Sequence, residues 1–170
     1  RMGRVYKLDP GSTTIAPKRF FLGGTNSMRG YPEDSMPAED DRPVLEQQVD
    51  ACNRLVNAVG CSETANILRQ GHTLVSGGGD AFVLYKAELR FPIVGNFEGA
   101  IFVEAGNLWD APEHATLSPT ARRFNPGVGL RYATPVGPLA LDVGMNAVPD
   151  TKLNETVFSL SYVQFSIGLF

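Results

Sequence analysis

Residues 81–91 read Ala81-Phe82-Val83-Leu84-Tyr85-Lys86-Ala87-Glu88-Leu89-Arg90-Phe91. Successive side chains of a β-strand point to opposite faces. Val83, Tyr85, Ala87, Leu89 and Phe91 therefore share one face, and Lys86, Glu88 and Arg90 the other. The same division recurs downstream. Ile101, Val103 and Ala105 oppose Glu98 and Glu104, and Val128, Leu130 and Tyr132 oppose Gly127, Gly129 and Arg131. Leu139, Leu141, Val143 and Met145 oppose Asp142, and Val163, Phe165, Ile167 and Leu169 oppose Gln164 and Ser166. This alternation predicts strands over Ala81–Phe91, Glu98–Trp109, Arg123–Thr134, Pro138–Asn146 and Val157–Phe170, with Arg1–Leu8 as the end of an earlier strand.

Connections between these segments alternate in length. Pro92–Phe97 and Pro135–Gly137 are short; Asp110–Arg122 and Ala147–Thr156 are longer. Short turns on one side and long loops on the other are the mark of an up-and-down membrane barrel. A soluble sandwich has the same period, with its apolar face turned inward. Two features favour the membrane. Glycines are mixed with charges on the polar face, as suits a crowded wet lumen. Phe91, Phe97, Trp109, Phe124 and Tyr132 also lie towards strand ends, as an aromatic girdle would. The expected fold class is all-β: an antiparallel up-and-down transmembrane β-barrel. The 170 residues provide its C-terminal part, of about six strands. So few strands close no useful barrel. The chain begins at Arg1 with no secretory signal. Both points lead us to expect a longer parent.

Composition narrows the function classes. A formal net charge of −3 gives no electrostatic case for nucleic-acid binding. No window approaches the roughly 18 consecutive apolar residues of a transmembrane helix. His72 and His114 stand apart from Cys52 and Cys61, so no metal cluster is expected, and no sequence feature calls for a cofactor. No catalytic residue is assigned. Ser27 has no partner histidine nearby in sequence, and Glu88 and Glu104 sit among Arg90 and Lys86, which makes salt bridging the simpler account.

Residues 39–70 break the β pattern. Leu45, Val49, Cys52, Val56 and Val59 recur at helical spacing. Asp40 and Asp41 followed by Pro43 suit a helix start, and Ser62-Glu63 suits the cap of a second short helix running to Gln70. A small helical insertion in a long extracellular loop is expected, although periodicity alone fits a surface helix of a soluble domain equally well. In an oxidising compartment Cys52 and Cys61 are expected to pair. Nine residues of unbroken helix span about 13.5 Å, and bonded cysteines need Cα atoms within about 7 Å. The first helix must therefore end early, near Asn57.

One motif is more specific than any of these patterns. The run Arg19-Phe20-Phe21-Leu22-Gly23-Gly24-Thr25-Asn26-Ser27-Met28-Arg29-Gly30-Tyr31 resembles the sixth-loop signature of the BamA/TamA superfamily of outer-membrane assembly factors. That signature is an aromatic, a Gly-Gly pair, then Val-Arg-Gly-Phe or Val-Arg-Gly-Tyr; Met28 replaces the Val. Phe102-Val103-Glu104-Ala105-Gly106-Asn107-Leu108-Trp109 resembles the family's aromatic-x-acid-x-Gly strand motif, with Glu104 for the more frequent Asp. Ala87–Phe91 and Gly129–Leu139 match as well, so the likeness covers nearly the whole chain outside the helical insertion. It implies that Gly23, Gly24, Met28, Arg29, Gly30 and Tyr31 form a loop folded back into the lumen, with Arg29 paired to Glu104 and Glu88 on the inner wall. The ending Phe165, Ile167, Gly168 and Phe170 resembles the C-terminal signal of such barrels, with the final spacing one residue shorter than usual.

The resemblance implies a non-enzymatic protein of the bacterial outer membrane that inserts β-barrel precursors. Its expected partners are outer-membrane lipids, unfolded barrel precursors and, as candidates, accessory lipoproteins. Two rivals remain open at this point: a translocation or secretion barrel, and a passive diffusion channel.

Overall fold

A computed structural model describes residues 1–9, 11–55, 61–69, 76–115, 123–135, 137–153, 155–158 and 162–168. Six strands form a single antiparallel sheet in sequence order: β1 (Met2–Arg4), β2 (Ala81–Val94), β3 (Phe97–Trp109), β4 (Arg123–Tyr132), β5 (Leu139–Gly144) and β6 (Val163–Ile167). The register keeps the two faces apart from end to end. Ile101 lies opposite Val128, Val128 opposite Val143, and Val143 opposite Val163. On the other face Lys86 lies opposite Glu104, Glu104 opposite Asn125, and Asp142 opposite Gln164. A slip of one residue would turn every apolar side chain to the polar side, which is why the alternation fixes the pairing.

The apolar face is bare. Leu89, Ile93, Ile101, Val128, Phe165 and Ile167 are all exposed, a pattern that suits lipid and not water. Phe97 and Tyr132 stack at the short-turn end, ring centroids 4.6 Å apart. Trp109 departs from the expected girdle. It is buried at the long-loop end against Ala81 and Val83, with Ala115 packed over them. The segment after β3 folds back over the strand ends and takes the place that lipid or headgroups would have filled.

Strand limits also shift from expectation. β1 ends at Arg4, short of Leu8, and β6 begins at Val163, not Val157. β2 runs past Phe91 to Val94 because Pro92 sits at a register shift, where its missing N–H breaks no regular ladder bond. Glu155–Phe158 form no strand; the Asn146 N–H donates to the Val157 carbonyl at 2.9 Å, and Glu155 accepts from Arg123 of β4.

Residues 39–70 contain α1 (Arg42–Asn53) and α2 (Glu63–Arg69). Val56, Val59 and Gln70, expected in these helices, lie outside the described residues. The Ala65 N–H donates to Ser62 Oγ, which caps α2. Asp41 makes no such bond at the start of α1. Asp40 instead accepts the backbone N–H groups of Asp110 and Ala111, each at 2.7 Å, and ties the insertion to the connection after β3. Because α1 stops at Asn53, Cys52 and Cys61 approach to 5.1 Å between Cα atoms and form a disulfide. They cover a small core of Val49, Ala65, Leu68 and Leu153. Closing so short a loop stabilises by about 2–3 kcal/mol. Replacing both cysteines by serine is expected to speed proteolysis within 42–69 while leaving the heat-modifiable gel shift of the barrel in place. Loss of that shift would mean that the disulfide supports the sheet itself.

Candidate functional site

The loop from Phe20 to Ala38 lies on the polar face of the sheet. Phe20 bridges to Gly79, and its ring packs on Phe82, centroids 4.8 Å apart. Leu22, Met28, Tyr31, Met36 and Ala38 bury against Leu84 and Leu108. Phe82, Leu84 and Leu108 are thus apolar residues among the charges of the polar face, placed where the loop docks.

The loop closes on itself before it meets the wall. The Gly24 N–H donates to the Tyr31 carbonyl at 2.9 Å, and Ser27 Oγ both accepts from and donates to the backbone of Gly23. Gly23 and Gly24 hold φ of 124° and 84°, where a side chain is strained. A Cβ on Gly23 would also stand 2.1 Å from the Pro32 carbonyl oxygen.

Arg29, 3% exposed, is the centre of the arrangement. Its Nε donates to Glu104 Oε1 at 2.7 Å, and its backbone N–H to Glu104 Oε2 at 2.6 Å. Nη1 donates to Asp142 Oδ2 at 2.9 Å, and Nη2 lies 3.0 Å from Glu88 Oε2. The guanidinium stacks on Phe102, with Cζ 3.3 Å from the ring centroid. Lys86 approaches Glu104 at 3.0 Å, and Arg131 bonds Asp142. Three carboxylates therefore meet four cations, because Arg90 also pairs with Glu88 at 2.7 Å; Glu104 and Asp142, the most buried of the three, each have two cationic partners.

The wall is shaped to admit the loop backbone. A Cβ on Gly144 would stand 2.4 Å from the Arg29 carbonyl oxygen, and one on Gly127 2.2 Å from the Phe102 ring. A Cβ on Gly30 would stand 2.7 Å from the Met145 carbonyl oxygen.

Glu88 and Glu104 come together with Arg29, while Asp142 and Phe102 were not singled out from sequence as its partners. Asp142 carried a usable signal, as the charged residue of β5 on the polar face. A second node was also not singled out. The Tyr31 hydroxyl accepts from Arg123 Nη1 at 2.5 Å and from Asn146 Nδ2 at 2.8 Å, and donates to Glu155 Oε2 at 3.2 Å. Burial holds this hydroxyl above its ordinary pKa, although Arg123 pulls the other way, so it keeps its proton to donate. Lower down the loop's approach, Asp80 accepts from Thr14 at 2.8 Å and meets Lys7 at 3.0 Å. Burial alone would push the Asp80 carboxyl up, but these partners together with Arg19 hold it below its ordinary value.

Of the C-terminal residues, Phe165 and Ile167 face outward on β6 and Gly168 follows with φ of 129°. Phe170 lies outside the described residues, as does His72. His114 lies 3.4 Å from Asp40 in a short turn. Among the described residues, no group of His, Cys, Asp and Glu has metal-binding geometry.

Comparison with known proteins adds three findings. Residues 11–170 match the model of the Omp85 superfamily domain. The chain is similar to outer envelope protein 80, chloroplastic, of Arabidopsis thaliana, at 26% identity over 133 residues, which is 75% of this chain and 13% of that protein. It also aligns with the crystal structure of BamA from Haemophilus ducreyi lacking POTRA domains 1–3, at 17% identity and a TM-score of 0.49, over 94% of this chain and 27% of that one.

Proposed function

The chain belongs to the Omp85 superfamily, outer-membrane β-barrels that insert or translocate proteins, and from that premise we propose that it is the C-terminal barrel part of a factor that assembles β-barrel precursors into the outer membrane. In this role residues 20–38 form a plug held against the inner wall by Arg29. β6 provides one side of a lateral seam where a precursor strand adds to an open edge. The observation that supports this best is the Arg29 cluster. A diffusion pore has no use for a loop buried across its lumen by a guanidinium with three carboxylate partners.

The seam has a direct test in the full-length parent. A photo-crosslinking residue is placed at position 165 in β6 or at position 130 in β4; both face outward. During assembly of a reporter barrel, position 165 is expected to capture the precursor and position 130 not. Equal capture at both would remove β6 as the seam; none at either, together with steady ion conductance through the purified barrel, would turn the choice to a passive channel.

A further inference from the structure

The loop motif touches more than the salt-bridge wall. Gln164, on the polar face of β6, donates from Nε2 to the Tyr31 carbonyl at 3.2 Å and approaches the Arg29 carbonyl at 3.5 Å. β6 thus meets the motif backbone directly. The connection leading into β6 meets the same motif from the other side, because Glu155 accepts hydrogen bonds from the Tyr31 hydroxyl and from the Arg123 guanidinium. Glu155 Oε2 also accepts the Asp150 N–H at 2.8 Å, and Asp150 bonds Arg42 at the start of α1. Tyr31 therefore stands between the docked loop and both ends of the last strand's approach.

We infer that Tyr31 and Gln164 are positioning residues that register β6 to the docked loop, so that the strand forming the proposed seam is held from its lumen side as well as by its ladder with β5. Two facts make this more than incidental packing. Among the described residues β6 is a short strand, Val163–Ile167, paired to β5 by five residue pairs and followed by the bond from the Gly168 N–H to the Pro138 carbonyl at 3.1 Å, so side-chain bonds add materially to what fixes it. The Gln164 contact runs to carbonyls of residues whose place is set by the carboxylate cluster and by Gly144, which leaves no room for the Arg29 backbone to shift toward the wall. The significance for assembly rests on the seam proposed above; the coupling itself does not.

Hydrogen exchange on the full-length parent in lipid nanodiscs separates the two. Gln164→Met keeps the length and removes the donor; Tyr31→Phe keeps the ring and removes the hydroxyl. Each is expected to speed exchange in 162–168 by about threefold to tenfold, Gln164→Met by losing the donor to the Tyr31 carbonyl and Tyr31→Phe by losing the hydroxyl bonds that hold Glu155 in the approach to β6, while residues 20–30 stay protected. Ser166→Ala, on the same strand face, is expected to change neither region. Unaltered exchange in 162–168 for both variants, or an equal effect from Ser166→Ala, would overturn the coupling. If exchange responds as expected while position 165 captures no precursor, the coupling stands and the assembly role falls.

Discussion

Arg29→Ala is expected to release the loop from the wall and to abolish most assembly activity of the full-length parent. The reason is ion pairing in a dry place. The Glu104 side chain is 0% exposed and that of Asp142 3%, and without Arg29 they share Lys86 and Arg131. Removing one partner of a buried ion pair costs on the order of 3–5 kcal/mol where the remaining charge is left uncompensated; here Lys86 and Arg131 still face the two carboxylates, so the cost falls at or below the low end of that range. Arg29→Lys is expected to recover little. A single ammonium cannot reach Glu104, Asp142 and Glu88 at once, nor stack flat on Phe102. Limited proteolysis of 20–38 and heat-modifiable gel mobility measure docking; reporter assembly measures function. The Arg29→Ala, Glu104→Ala double variant is expected to be little worse than either single, since both remove the same interaction. Wild-type protease resistance in Arg29→Ala would make the cluster a bystander and remove the strongest support for a plugged lumen.

Gly144→Ala is expected to undock the loop through shape instead of charge. The added methyl would stand 2.4 Å from the Arg29 carbonyl oxygen and 2.8 Å from the Gly30 nitrogen. Both are backbone atoms, so no side-chain rotation relieves the clash. Overpacking of this kind costs about 1–3 kcal/mol, taken from the same docking equilibrium that Arg29 supports. Gly77→Ala is the control, because the nearest atom to its added methyl is a flexible Arg19 nitrogen at 3.9 Å; it is expected to be neutral within about 0.5 kcal/mol. Equal protease sensitivity of 20–38 in the two variants would mean that the loop backbone can back away from β5.

The two variants act on one interface by different physics, and that interface was only partly legible in the chain. Strand faces were legible because a period of two leaves no choice: once Leu89 faces out, Glu88 faces in. The family motif marked residues 19–31 and named Arg29. Neither source revealed Asp142 as a partner, since sequence gives the face of a residue but not its height along a strand relative to a loop. Arg123, Asn146 and Glu155, the partners of Tyr31, were hidden for the same reason: they lie up to 124 residues from it. Trp109 was misplaced because a girdle position and a position under a folded-back segment have the same local pattern.

The sequence by itself determined the all-β architecture, the two faces of the sheet, the helical interruption and the residue type at the heart of the loop, because local period, turn residues and a short motif depend only on neighbours in the chain. The tertiary structure decided which carboxylates surround Arg29, which glycines clear its path and which residues tie the loop to β6. Those depend on register and docking height, set jointly by six paired strands and a loop that lies across their polar face.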